Sequence, residues 1–476
     1  MKLLCKIGIV AIIFLIGSCK KDSTDPGNGT QNPPNGTQKK VYANAGSDQV
    51  ITIPIKTVVL NGTTSYDVTG APLNYSWKVH LSPSASITNG TTSIASALLT
   101  IPAKYIFILD VWNNNGAATD TVEVILNDLC AVAGTVIPQL IQFSHVPEDF
   151  DWETPKIFAA GKKLIIPKDW EYNNVLGSNP ISIYDVDAHS YIKRYLPTSR
   201  SDAAIIVAGN KVFFAGGETN YGNFPNSLTD KVEIYDIITD SWTSTQLSES
   251  RKSIKAAVAG NKVVFAGGWK NGDVPSKTVD IYDLQTGQWS ASVLTGPARE
   301  VGAAVAIQDK VYFCGGVAGG QIGATKIIDI YNTITGTWSI DSMAFPRIMF
   351  TAIAANGKIY FAGGLDMTWG PLNTSNPNNY LANVEVKNVN LSTSQNYCLS
   401  RKLAGATSVM QGEKVIFFSG LGDISGKIDI YNTTNDSWSV ASVSNVSLAQ
   451  SSIVALNNEL YVIAINGPTK LYKLIL

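Results

Sequence analysis

The chain has 476 residues, enough for two to four domains. Its 36 Lys and Arg against 37 Asp and Glu give a formal charge of −1, which argues against a nucleic-acid binder, since duplex binding needs a cationic surface to displace counterions. Charged residues are only 15%, below the roughly 25% of ordinary soluble domains, while 40 Gly, 19 Tyr and 10 Trp suit sheets and turns, and five Cys are too few for a disulfide scaffold.

Residues 1–18 read as a secretory signal: Lys2 and Lys6 flank a basic start, and Ile7 to Ile16 form an apolar run too short to span a membrane comfortably. The segment Ile16-Gly17-Ser18-Cys19 resembles a bacterial lipobox, which implies lipidation of Cys19 and a membrane partner through that anchor. Loss of Lys2 and Lys6 leaves 34 basic against 37 acidic residues, a mature charge of −3. Residues 19–40 form a Gly, Pro, Asn and Thr-rich tether that cannot bury a core. Its start, Lys20-Lys21-Asp22, is similar to the export signals of Bacteroidetes surface lipoproteins, with Ser23 in place of a second acid. That implies an outer-membrane lipoprotein displayed at the cell surface, the periplasmic face being the alternative.

Residues 41–128 alternate short β runs with turn clusters: Gln49 to Ile55, Thr57 to Asn61, Leu73 to His80, Ser93 to Ile101, Tyr105 to Trp112 and Thr119 to Leu126. Six or seven strands in this length indicate a β-sandwich, with Trp77 as the plug between sheets. Ala43-Asn44-Ala45-Gly46, Gly62 to Asp67, Gly70 and Leu73-Asn74-Tyr75-Ser76-Trp77 resemble a PKD domain, the immunoglobulin-like module of surface proteins. Where that family has an Asp before its last turn, this chain has Trp112-Asn113-Asn114-Asn115-Gly116, removing an acid on which an inherited metal site would depend. A spacer role is expected here, with adhesion or glycan contact as the alternative.

Residues 129–476 repeat. One unit holds Lys211-Val-Phe-Phe-Ala-Gly216-Gly217, Val232-Glu-Ile-Tyr235-Asp236 and Trp242. The next holds Lys262 to Gly268, Tyr282-Asp283 and Trp289; a third holds Lys310 to Gly316, Tyr331-Asn332 and Trp338. Tyr431 and Trp438 keep the same Tyr-to-Trp offset, and Tyr184 and Tyr191 keep it with a changed aromatic. In the fifth unit Lys387 replaces the Tyr and Tyr397 stands for the Trp; in the sixth Ser419-Gly420 replaces the doublet; the first has none. Such units cannot cover both sheet faces alone, so they stack radially. The pattern resembles the kelch repeat, which implies an all-β propeller whose Tyr and Trp wedge between blades. The 347 residues from 130 to 476, at about 50 per unit, indicate seven blades rather than six. The last blade would combine Ala133 to Ser144 with the three strand-like runs after Ala449, closing the ring without edges.

Arg200, Arg251, Arg299, Arg347 and Arg401 begin successive units, the first four each sixteen residues before a doublet Gly. Blade topology sets them around the mouth of the central channel, where they would either read an anionic group or hold blade turns together. Trp269, Trp369 and Tyr221, with Trp170, Tyr172, Phe224 and Tyr380, supply loop aromatics for a glycan or protein ligand. The three His are too few for a copper site of kelch-type oxidases, no catalytic triad or zinc pair occurs, and no cofactor or metal is expected. The resulting expectation is a non-enzymatic binding lipoprotein. The alternative is a carbohydrate-active enzyme, a metal-free epimerase or mutarotase acting on an acidic sugar, with Glu218, Asp366 and Glu300 as acid and base; a structural envelope component is the third reading. Cys314, on an inner strand, reads as a buried small apolar residue.

Overall fold

The computed structural model describes residues 40–476 except 53–56, 81–84, 100–102, 128–134, 146–154, 169–178, 220–226, 320–322, 345, 366–379, 392, 422–424, 444–447, 450 and 466–468. The signal, Cys19 and the tether therefore lie outside the described residues.

The first domain is a sandwich of a four-stranded and a three-stranded sheet. Ala103–Asn113 shows why: its alternate residues Tyr105, Phe107, Leu109 and Val111 are fully buried, the period-two pattern of a half-buried strand. Gln49–Thr52 runs parallel to Gly116–Asn127, the last strand, and Trp77 fills the core with its indole N–H on Thr92 O at 3.2 Å. A strand absent from the sequence reading, Ala85–Thr88, completes the smaller sheet. At the asparagine run, the Asn113 and Asn115 side-chain amides donate to Asp67 at 3.2 and 3.1 Å. Hydrogen bonds from Thr69 and these two amides hold the Asp67 carboxyl well below the usual range. Amide donors thus occupy the carboxylate oxygen that a cation would otherwise use.

Among the described residues seven sheets follow, six of four strands and the sixth of five, with first to fourth strands in chain order except in the last. In the second sheet these are Ala204–Ala208, Lys211–Ala215, Lys231–Asp236 and Ser241–Gln246. The two central strands are buried on both faces, so their sequences read as continuous apolar runs instead of alternating ones. First strands touch their neighbours around a ring, and the ring closes because Phe158–Ala160 meets Ser452–Leu456. Seven apolar clusters each draw from two adjacent sheets, including one that joins Tyr461 and Ile463 to Leu164 and Tyr184. Tyr282 and Trp289 pack on Phe213 and Val232 of the preceding sheet, with the Phe213 and Tyr282 centroids 5.3 Å apart. The aromatic pair is the wedge expected between blades.

The last sheet is completed from the far end of the domain, since Gln139–His145 pairs antiparallel with Thr469–Ile475. The single strand expected over Ala133 to Ser144 is split. Thr135–Val136 adds parallel to Ser437–Ser442 of the sixth sheet, and Pro138, which cannot donate to a ladder, separates it from the piece that joins the seventh.

The fifth unit departs from the sequence reading. Tyr397 does not stand across from Lys387: it lies opposite Val384, and Ser394 faces Lys387. Its ring packs on Tyr431 and Trp438 of the sixth sheet instead, while Lys387 donates to Asp341 Oδ1 at 2.9 Å on the preceding sheet. A buried cation replaces the wedge and finds its acid across the seam.

After the third strand of each of the first six sheets, the side-chain oxygen of Asp185, Asp236, Asp283, Asn332, Asn388 or Asn432 accepts the N–H groups two and three residues on. Asp283 also meets Lys262 Nζ at 2.5 Å, which, with the turn bonds, pushes its carboxyl down to about 2. A depressed carboxyl contributes stability that is complete above the unfolded value of 3.8 and is lost as pH falls through the folded one. The thermal midpoint should therefore fall on acidification between about pH 4 and pH 2. Asp283→Asn, which keeps the turn as Asn332 does, should flatten that limb; an unchanged limb would remove Asp283 from the explanation.

Candidate functional site

The sequence-expected arginines are inside the protein. Arg251, Arg299 and Arg347 are fully buried, Arg200 is 2% exposed, and the Arg401 side chain 10%. Each faces an acid on the third strand of its own sheet: Glu233, Asp280, Asp329 at 2.6 Å, Glu385 at 3.9 Å and Asp429 at 2.5 Å. Arg251 Nη1 also donates to Gly267 O at 2.8 Å, Arg299 Nε to Gly315 O at 2.9 Å, and Arg347 Nη1 to Gly363 O at 3.2 Å. Those are the doublet glycines sixteen residues on, which accounts for the fixed spacing. The acids in turn accept the backbone N–H of Ser248, Gly296, Ala344 and Ser400 in the segments leading into each sheet. Burial raises the Glu385 and Asp429 carboxyls even with a guanidinium beside each.

The network also crosses seams. Gly217 N–H donates to Arg251 O at 2.8 Å and Gly268 N–H to Arg299 O at 3.0 Å, each tying one sheet to the next. A Cβ on Gly217, whose φ is +104°, would lie 2.5 Å from Ser201 O and 3.1 Å from Ala203 N. In the sixth sheet Ser419 takes the left-handed position of the first glycine at φ 54°, and its hydroxyl bonds Leu448 O across the seam. Arg251, Arg299, Arg347 and Arg401 are thus framework, Arg200 is buried with its acid, and the expected guanidinium collar at the mouth does not form.

What the mouth presents instead comes from the one to four residues after each arginine and from the residue after each glycine doublet. Lys252 Nζ reaches Glu218 Oε2 of the preceding sheet at 3.1 Å, and Trp269 Nε1 donates to Glu300 Oε2 of the following one at 2.7 Å. Further round, the same positions are apolar: Ile348, Leu365 and Ala404 cluster with Val317 and Met349. Trp269 is half-buried and serves a seam as well as the surface. Tyr221, Trp369 and Asp366 lie outside the described residues, as do Trp170, Tyr172 and Phe224. Glu218 and Glu300, the other candidate acids, are each engaged across a seam.

Beside the first four sheets the channel mouth opens into a cavity of about 260 Å³ lined by Phe158, Asp202, Ser253 and Lys255, with Lys156 and Ala304. Ser253 Oγ donates to Asp202 Oδ2 at 2.5 Å, and both residues hold φ near +54°. Non-glycine residues in that conformation cost about 1–3 kcal/mol and persist only where surroundings impose them. A carboxylate, a hydroxyl, an ammonium and one aromatic ring around a concave space can hydrogen-bond and stack a small polar ligand. Sequence reasoning stopped at the arginines; the third-strand acid, two residues before each Tyr, was the readable sign that they were paired.

A family model described as a PKD domain matches residues 45–126, and one described as a Kelch motif matches residues 199–245 and 250–291. The chain thus carries a PKD domain followed by kelch repeats. No curated protein matches it. Among solved structures, the "Structure of YjhT" is 16% identical, covering 62% of this chain and 98% of that one, with a TM-score of 0.46.

Proposed function

We propose that the chain is a lipid-anchored envelope protein whose kelch-type propeller binds a saccharide at the channel mouth, its PKD domain serving as the spacer. The cavity formed by Asp202, Ser253, Lys255 and Phe158 carries this reading, because it combines hydrogen-bonding groups with a ring in a space of monosaccharide size. Engagement of Glu218 and Glu300 across seams supports binding over acid–base chemistry. Export is supported by the disulfide at Cys398, since disulfides persist in oxidising compartments. Cys314, by contrast, is free and fully buried, and burial pushes its thiol far up.

A glycan array probed with the full-length protein tests the proposal. The expected result is a defined set of bound saccharides, with Asp202→Ala and Lys255→Ala each reducing the signal by about tenfold, one hydrogen bond to a charged group. Equal signal from both variants would dismiss the cavity as the site.

A further inference from the structure

The buried arginines are not equivalent. Arg251, Arg299 and Arg347 all spend an N–H on their doublet glycine. Arg200 engages only Nη2, with Phe214 O at 3.2 Å and with Glu233; its Nε and Nη1 have no acceptor among the described residues. The irregularity continues into the first sheet. There Ser182 stands where the repeat has its acid, and its buried hydroxyl has no partner among the described residues. Buried donors of this kind are costly when unmade, more so on a charged group.

The open N–H groups adjoin a space of about 10 Å³ between the first and second sheets, room for a single atom such as an oxygen. Arg200, Ala203 and Ile205 line it, and the last two also line the channel-mouth cavity, so the two spaces are neighbours. Lys255, in that cavity, has no carboxylate within ion-pair distance among the described residues, and the carboxylate of Asp202 is already engaged by Ser253. Of the charged residues lining that cavity, Lys156 and Lys255 are cations and Asp202 is the acid.

Resting on the saccharide-binding reading above, we propose that Arg200 reads an oxyanion on the ligand. A carboxylate or sulfate of a sugar seated in the cavity places one oxygen on Arg200 Nε and Nη1, and Lys255 balances the remaining charge. Access follows from a rotation of Ile205 at the dividing wall. The other four arginines do not line the small space and do not take part.

Calorimetric titration of the full-length protein with glucuronate, glucose 6-sulfate and glucose tests this. The two anionic sugars should bind about tenfold tighter than glucose, the worth of one charge-assisted hydrogen bond. Ala203→Val, which fills the small space and leaves the guanidinium in place, should erase that preference without abolishing glucose binding, whereas Lys255→Ala, at the saccharide site itself, should weaken all three sugars and the anions most. Arg200→Lys should act as Ala203→Val does where it folds. Equal affinity for glucose and the anions overturns the oxyanion role and leaves the saccharide site standing; failure of all three sugars to bind overturns both. Of the two sources, preference for glucuronate alone assigns a carboxylate, and for the sulfate alone a sulfate ester.

Discussion

Arg299→Leu should lower the unfolding free energy by about 3–5 kcal/mol, the cost of leaving a buried carboxylate without its partner. Arg299 and Asp329 are both fully buried and meet at 2.6 Å, so the carboxylate lies too deep for bulk solvent to replace the guanidinium. The same substitution frees the carbonyls of Phe313, Gly315 and Pro297, which the arginine now satisfies. Asp329→Leu combined with Arg299→Met should recover much of the loss, because a packed apolar pair avoids the desolvation that the ions incur. Urea titration of the parent and both variants measures both effects. A single variant within about 1 kcal/mol of the parent, the size of an exposed pair, would mean that the arginine is surface-like and available to ligand.

Gly217→Ala should cost about 3 kcal/mol or more, combining a left-handed backbone with a clash against main chain that cannot move aside. The added carbon would meet Ser201 O and Ala203 N, and both atoms belong to the segment leading into the channel mouth. Gly209→Ala supplies the control: its φ is +60° but nothing lies within 4 Å of the new carbon, so only the backbone cost of about 1–2 kcal/mol applies. Thermal and urea unfolding of the pair should separate them by at least the clash. Similar losses would assign the doublet's role to chain flexibility alone.

The architecture was legible because it rests on local, repeated signals. Double glycines, a Tyr seven residues before a Trp, and apolar central strands recur, and each encodes one element of a sheet that needs its neighbours. The placement of Gln139–His145 beside Thr469–Ile475 could be anticipated because a strand count left one unit short at each end. Exceptions were hidden where a residue type changed along with its geometry. Tyr397 held an aromatic near the right spacing, but it stands three residues beyond Ser394, the partner of Lys387, and that odd step turns its ring to the opposite face of the strand and another seam.

The site was less legible, for a physical reason. An arginine at a repeated position is compatible with either a ligand or a framework, and only its surroundings decide. The deciding sign was an acid inside an otherwise apolar strand, as in Val232-Glu233-Ile234, since a buried charge requires a partner. Asp202, Ser253 and Lys255 gave no comparable signal. They form a cavity only because four consecutive sheets converge on the axis, which is a property of the ring and not of any one unit.

Everything assigned to the channel mouth depends on that ring being closed by a strand borrowed from the beginning of the domain. Hydrogen exchange of the native full-length protein, read at the amides of Gln139–His145, tests this most directly. Closure predicts that these amides exchange as slowly as those of Thr469–Ile475, because both lie in one ladder and open only when the propeller unfolds. Exchange on the timescale of an exposed tail, with Thr469–Ile475 still protected, would contradict it.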